Sequence, residues 1–380
     1  MKEKNFKVLF LTEWFPTEKD TSYGIFIKEH AKAISLFNQV IVLTPIGSNL
    51  LELFSFKEKD DAGLRIIQIN YWKSSSEILN YLQRILSFLI GILKIKKNGF
   101  QPDVIHANIF FSGVAALFGK IVFKRPIILT EHFGGLIRKD IKWYSILLAK
   151  FLIPKFDAIT VVSNKLKESL EKNYNINVNP YIVPNTIDLS LFRPNKIKKF
   201  TDNKIHIAFV GRLSPVKGIH NLIKALGGVK KERDDFILHL IGGGNEKEYK
   251  KLVNQLNLNE NVIFHGIKSR EETANYIKKC NFLVLPSYSE SFSCIILEAI
   301  ACGKPIVTTN VGIISEIFNE KIGIIVKPNI KSIQKGLNEM LENYKLYDPN
   351  LISNQADSYS YQIIGEKFTS LYEKIARKKI

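Results

Sequence analysis

The stretch that most limits what this chain can fold into runs from Phe282 to Thr309, FLVLPSYSESFSCIILEAIACGKPIVTT. Phe282 to Pro286 is an apolar run without polar alternation, the pattern of a parallel strand covered on both faces. Ser287 to Ser291 is a small polar turn with N-cap candidates, Phe292 to Ala301 predicts a helix, and Gly303 and Pro305 close it. Pro305 to Thr308 predicts the next strand. Strand, turn, helix and strand make a βαβ unit, and such units hold ligands beyond the carboxyl ends of their strands. The turn after Pro286 is therefore where chemistry is expected.

The same alternation runs through the whole chain. Strands are predicted from Phe6 to Thr12, Val40 to Thr44, Asp103 to Ala107, Ile127 to Thr130 and Ala158 to Val162, with helices from Phe26 to Phe37, Ser112 to Phe123 and Asn164 to Asn173. Pro184 to Lys204, rich in Pro, Asn and Lys, reads as a linker. After it come strands from Ile205 to Val210, Phe236 to Ile241 and Val262 to His265, separated by helices from Ile219 to Leu226, Lys247 to Asn257 and Arg270 to Lys278. Two α/β halves predict two Rossmann-like domains facing each other across a cleft, residues 1–190 and 191–357. An amphipathic terminal helix spans about 358–380. The length of 380 residues gives ample core for this arrangement.

Two carboxylates stand in the opening stretch. Glu290 lies in the turn, and Glu298 lies eight positions on, within the helix. Helical spacing allows two readings of Glu298. It either shares a narrow exposed stripe with Ser291, Cys294 and Cys302, or it is buried and needs a partner such as a ribose diol. The segment Phe209 to Gly218, FVGRLSPVKG, ends a strand with a glycine and then presents Arg212 and Lys217. Two cations there make either a basic surface turn or a cradle for the charge of a diphosphate leaving group.

Together these segments resemble the retaining glycosyltransferases of family 4, which have the GT-B fold. The match lies in E-S-F-S-C-I-I-L-E-A, similar to the family's E-x7-E signature, and in G-R-L-S-P-V-K-G, similar to its G-R-L-x-x-x-K-G motif. Segments in matching order cover nearly the whole chain. The resemblance implies that Gly211, Arg212 and Lys217 hold the donor diphosphate, that Glu290 contacts the sugar, and that Glu298 binds the ribose. It implies that Gly266 and Ile267 hold the base through their backbone, and that the N–H groups of Ser293, Cys294 and Ile295 meet phosphate or sugar at the positive end of their helix. Many relatives carry Gly where Ser293 stands, and serine is expected to cap the helix.

In the first half, Thr130 to Gly135 reads TEHFGG, and His132 resembles the family's histidine that faces the cleft and contacts the donor hexose. A lone histidine is otherwise most often structural. His106, in VIHAN, has a similar setting. Gly24 matches the first-loop glycine that lets backbone approach phosphate and acceptor, although Tyr23 stands where relatives often have a second glycine. Val183 to Asp188, VPNTID, resembles the family's N-G-x-D element with Thr186 replacing glycine, and reads as structural. The terminal helix is expected to cross back onto the first domain.

Composition and missing motifs narrow the chemistry. No D-x-D occurs, so cationic side chains rather than a metal ion are expected to hold the diphosphate, and the seven histidines contain no H-x-x-x-H pair. LIGGG at Leu240 to Gly244 does not complete G-x-G-x-x-G, and no Walker A motif occurs. Cys280, Cys294 and Cys302 lack metal-type or disulfide spacing. The expected co-substrate is a UDP- or GDP-sugar, with no further cofactor.

The net charge of +18 is uneven: Ala62 to Lys155 holds 14 basic against 4 acidic residues. Such a segment is either a solvated face or a surface drawn to anionic lipid, glycan or nucleic acid. Ile78 to Ile95, strongly apolar and followed by two lysines, and Ile141 to Phe156, mixing Trp143, Tyr144, Leu147 and Phe151 with lysines, predict an interfacial dock on an anionic membrane, with core helices as the other reading. A glycan or lipid-linked acceptor follows, with no nucleic acid. Val8 to Leu11 is too short for a signal peptide, and the expected location is the cytoplasm, at the inner face of the membrane. The competing readings are an epimerase or phosphorylase of the same fold and a non-catalytic basic binder of membranes or nucleic acid.

Overall fold

The computed structural model describes residues 5–18, 20–48, 53–61, 63–195 and 200–377. The first four residues, the lysine-rich 196–199 of the expected linker and residues 378–380, to which the terminal helix is expected to run, lie outside the described residues. Two compact units are formed, one by residues 1–186 with 359–380 and one by residues 187–358.

Unit 1 begins with β1 (Lys7–Thr12), α1 (Ile25–Ser35) and β2 (Gln39–Ser48), followed by a hairpin of β3 (Phe56–Asp61) and β4 (Leu64–Trp72). It continues through α2 (Glu77–Lys97), β5 (Val104–Asn108), α3 (Gly113–Phe123), β6 (Ile127–Glu131), α4 (Gly135–Arg138), α5 (Trp143–Leu152), β7 (Ala158–Val161), α6 (Asn164–Tyr174) and β8 (Tyr181–Ile182). The sheet order is β3-β4-β2-β1-β5-β6-β7-β8. Every pairing is parallel except β3 with β4. Val8, Leu9, Phe10 and Leu11 of the central strand are wholly buried, as a strand covered on both faces requires.

Unit 2 consists of β9 (Ile205–Val210), α7 (Ile219–Val229), β10 (Phe236–Ile241), α8 (Glu246–Gln255), β11 (Val262–Gly266) and α9 (Arg270–Lys279), then β12 (Phe282–Leu285), α10 (Cys294–Ala301), β13 (Ile306–Thr308), α11 (Ile314–Ile317), β14 (Gly323–Ile325), α12 (Ile330–Asn343) and α13 (Pro349–Asn354). Its parallel sheet has the order β11-β10-β9-β12-β13-β14, that of a doubly wound nucleotide fold. The chain turns back between β9 and β12.

The last helix, α14 (Tyr361–Arg377), belongs to unit 1 and lies on α1. Asn38 donates to Thr369 Oγ1 at 2.8 Å, and Tyr372 meets His106 Nδ1 at 2.7 Å. His106 is fully buried and also bonded to Thr130 Oγ1 at 2.6 Å, so it is a core residue. Thr186 donates to the Tyr359 carbonyl at 2.8 Å, tying the two crossings of the chain together.

The apolar segment after Ile78 divides its roles. By length and composition α2 could cross a membrane. Its second half nevertheless packs against the sheet: Phe88, Ile92 and Ile95 are buried, and a Cβ on Gly91 would come within 2.9 Å of side chains from both β2 and β4. Its first half exposes Ile78, Leu82 and Leu86.

Candidate active site

The loops at the carboxyl ends of four strands of unit 2 are joined by hydrogen bonds, most of them backbone to backbone. After β9, Gly211 N donates to the Ile241 carbonyl at 2.9 Å, and Leu213 N donates to the Gly243 carbonyl at 2.7 Å. Gly242 has φ 138°, and a Cβ there would stand 2.1 Å from the Gly211 oxygen, so only glycine lets these loops touch. The loop then makes a short turn through Pro215 to Lys217 and ends at Gly218, φ 71°, where a Cβ would meet the Pro286 oxygen at 2.1 Å. Tyr288 N donates to the Val216 carbonyl, fixing the β9 and β12 loops to each other. From β13, Thr309 Oγ1 donates to the Ser287 carbonyl at 2.5 Å.

This framework sets Lys217 Nζ 2.6 Å from Glu290 Oε1, which also accepts from Ser287 Oγ at 2.7 Å. The pair sits where the strand order reverses, the position at which open α/β sheets bind ligands. Arg212 extends from the same loop and is exposed. Beside Glu290 the chain enters α10 through Ser293, whose backbone is left-handed at φ 77°. Serine does not cap the helix as expected: there is no side-chain cap bond, and the buried Ser293 Oγ has no hydrogen-bond partner. The left-handed backbone turns the hydroxyl away from the N–H groups that a cap would serve.

Glu298 is 6% exposed, which rules out the exposed stripe, and Cys302 of that stripe is buried as well. Its Oε1 receives Arg270 Nη1 at 2.9 Å, and the Arg270 guanidinium lies over the Phe192 ring at 5.0 Å. Gly266 has φ 66° with open space where a Cβ would be, and the exposed Ile267 side chain reaches over Gly243.

In unit 1, Gly24 begins α1 at φ 68°, and a Cβ there would meet the Trp14 carbonyl group at 2.4 Å. Glycine is thus needed for the first loop to close on itself. His132 follows β6 and is 2% exposed, with Nε2 3.3 Å from Asn108 Oδ1 and its ring against Phe26 and His30. Burial holds its imidazole well below the usual range, so it is neutral. Glu131 fixes this turn by accepting from the backbone N–H of Phe110, His132 and Phe133 at 2.8 to 2.9 Å.

A family model described as glycosyl transferases group 1 matches residues 193–356, and one described as glycosyltransferase family 4 matches residues 30–191. The chain belongs to the family 4 glycosyltransferases. An uncharacterized glycosyltransferase of Methanocaldococcus jannaschii is 29% identical over 320 residues, covering 81% of this chain and 84% of the relative. A Campylobacter jejuni protein named N-acetylgalactosamine-N,N'-diacetylbacillosaminyl-diphospho-undecaprenol 4-alpha-N-acetylgalactosaminyltransferase is 28% identical over 324 residues, 81% of this chain and 87% of that one. Anabaena HepE, solved in complex with UDP-glucose, has the same fold at TM-score 0.75 and 18% identity, covering 97% of this chain and 100% of its own.

The sequence motifs of this glycosyltransferase thus fall on one edge of unit 2: Gly211, Lys217, Glu290 and Ser293 lie on loops that touch. Two groups escaped the sequence reading. Arg270, the partner of Glu298, is the first residue of a helix whose capping box is formed by Ser269 and Glu272, and it looks from sequence like an ordinary helix start. Glu13, in the first loop of unit 1, has a side chain 6% exposed and pairs with Arg84 Nε at 3.0 Å. A lone acid following a buried strand was its only signal.

Proposed function

We propose that this glycosyltransferase moves a sugar from a nucleotide-diphosphate donor to an acceptor hydroxyl with retention at the anomeric carbon, the donor binding unit 2 and the acceptor unit 1. The observation that carries the reading is the Lys217–Glu290 pair at the β9/β12 reversal, beside the left-handed entry to α10. A diphosphate draws Lys217 and Arg212 to its oxygens and frees Glu290 for sugar hydroxyls, while the helix N-terminus and the Ser293 hydroxyl add donors to the same charge. Glu298, oriented by Arg270, takes the ribose. His132, neutral, donates to or accepts from the transferred sugar.

In the reaction the bond from the anomeric carbon to the diphosphate oxygen breaks, and the acceptor oxygen bonds to the same face of that carbon. The acceptor proton passes to the departing phosphate. Lys217 and Arg212 stabilise the charge that builds on that phosphate. Among the described residues no group of three or more His, Cys, Asp or Glu is placed to hold a metal ion. The Campylobacter relative's name supports an acceptor carried on a lipid, and the exposed apolar and basic faces of α2 and α5 support work at an anionic membrane surface on the cytoplasmic side, in the assembly of cell-surface glycans.

The test is thermal stability with UDP, GDP, ADP and CDP, each at millimolar concentration. A nucleotide at ~100 times its Kd adds about 2.7 kcal/mol to the folded state. One of the four is expected to raise Tm, Lys217→Ala to remove most of the rise, and the same variant to lower kcat with that nucleotide's sugar by roughly 10²- to 10³-fold. No response to any nucleotide, or full turnover by Lys217→Ala, overturns the assignment.

A further inference from the structure

Unit 1 has a reversal of strand order of its own, between β1 and β5. A cavity of about 400 Å³ opens beside it, framed by the loop after β1, the ends of β2 and β4, and Phe111 beyond β5. Glu13 and Trp14 form one wall, and Arg84 and Lys73 bring two cations to it. Glu13 Oε2 holds Arg84 in place, while Glu13 Oε1 is buried without a hydrogen-bond partner. A buried carboxylate oxygen left this way asks for a donor, and a sugar hydroxyl is the donor a glycan supplies.

Arg84 and Phe111 also line a second cavity, of about 760 Å³, between α2 and the segment that leads into α5. Its walls are largely apolar, with Ile78, Tyr81, Trp143 and Leu148 contributing. Trp143 is 71% exposed and Ile78 67%, an apolar surface that water covers at a cost. The polar and apolar compartments therefore share a wall, and that wall carries the guanidinium.

We propose that the two adjoining cavities bind a lipid-linked acceptor, with its phosphate or diphosphate against Arg84 and Lys73, its glycan hydroxyl on Glu13 and its hydrocarbon chain in the groove between α2 and α5. The inference rests on unit 1 being the acceptor-binding half. A wholly polar acceptor leaves the larger cavity wet. A bilayer would cover the exposed faces of α2 and α5 but brings no anion into a cavity beside a strand reversal. A single lipid phosphate satisfies both, by charge at one end and apolar burial at the other. Burial pushes the Glu13 carboxyl up to about 7, which limits its repulsion of an incoming phosphate near neutral pH.

Farnesyl phosphate, used below its micelle concentration and without donor, is the probe. Trp14 lines the first cavity and Trp143 the second, so binding reads out as tryptophan fluorescence, assigned with Trp14→Phe and Trp143→Phe. Saturable binding with a blue shift from Trp143 is expected, and farnesol, which lacks the phosphate, should bind roughly 10- to 100-fold more weakly, as the loss of charge-assisted hydrogen bonds predicts. Arg84→Gln and the exposed Lys73→Gln should each weaken farnesyl phosphate by about tenfold or more and leave farnesol unchanged. If loss of its guanidinium unfolds the Arg84 variant, Lys73→Gln carries the test. Equal binding of phosphate and alcohol overturns the proposal, as does a protein that sediments with phosphatidylglycerol vesicles yet does not bind farnesyl phosphate. The nucleotide response of Tm separates the two readings: if it persists where lipid binding fails, the acceptor inference alone falls, and if it is absent where lipid binding holds, the donor reading falls.

Discussion

Ser293 is where the backbone asks for one residue and the sequence supplies another. Its φ of 77° and ψ of 68° suit glycine, and a side chain there costs about 1–2 kcal/mol. The serine hydroxyl adds a second cost, since its Oγ is buried without a partner. Glycine would give back part of the gain through a more flexible unfolded chain. We expect Ser293→Gly to raise stability by up to about 1 kcal/mol, measured as the urea midpoint, and Ser293→Ala, which keeps the backbone strain, to gain less. A Ser293→Gly variant less stable than wild type would mean that the hydroxyl has a structural role. Serine kept in a strained site fits a residue retained for what it touches when ligand binds. At this scale the sequence placed Lys217 and Glu290 on turns after two strands, while the contact between them emerged only in the fold, from the strand reversal that brings those loops together. It was silent on Arg270 and Arg84, because an ion pair between residues 28 or 71 positions apart leaves no local pattern.

Elements covered on both faces were legible, because a run such as Val8 to Leu11 or Phe282 to Leu285 has no other stable place than the middle of a parallel sheet. The β3–β4 hairpin was not. Phe56–Asp61 reads FKEKDD and lies at the sheet edge, where charges oppose edge-to-edge pairing and erase the apolar signal. Helix α14 illustrates a different limit: its amphipathic pattern predicted a helix, but the surface it covers became clear only in the fold. It meets the end of α1 closely at Gly365, where a Cβ would stand 2.3 Å from the Ala33 carbonyl oxygen and 2.9 Å from the Phe37 ring. Backbone cannot yield there as a side chain can, so overpacking costs are expected in full. Gly365→Ala should destabilise unit 1 by about 1–3 kcal/mol and hasten proteolysis of the terminal helix. Unchanged stability and protease resistance would show that α14 can slide on α1 and that its docking is looser than this contact implies.

For the whole molecule, the seven histidines matter more to stability than their number suggests. Burial lowers five of them: His30 to about 4, His239 to about 3, His106 and His132 well below 6.5, and His265 below it. Three form a hydrogen-bonded row across β9, β10 and β11, His206 to His239 at 2.8 Å and His239 to His265 at 2.9 Å, and burial opposes a charge on the middle ring. An unfolded chain takes up protons at these rings near 6.5 and the folded one does not. Their contribution is therefore complete above about 6.5 and is lost as pH falls toward 4 and then 3. Two buried carboxyls work in the opposite sense: Glu13 and Glu131, both raised to about 7 by burial, contribute fully below about 4.5 and lose that contribution as pH rises through 7. The histidines outnumber them, and the formal charge of +18 adds self-repulsion that grows on acidification. The urea midpoint should therefore fall steadily between pH 7 and pH 5. Repeating the series in 0.5 M KCl separates the causes, because salt screens surface repulsion and leaves the cost of charging a buried ring. A fall that persists in salt points to the histidines, a fall that salt abolishes points to net charge alone, and a midpoint that is flat or rises toward pH 5 would contradict the burial of these rings.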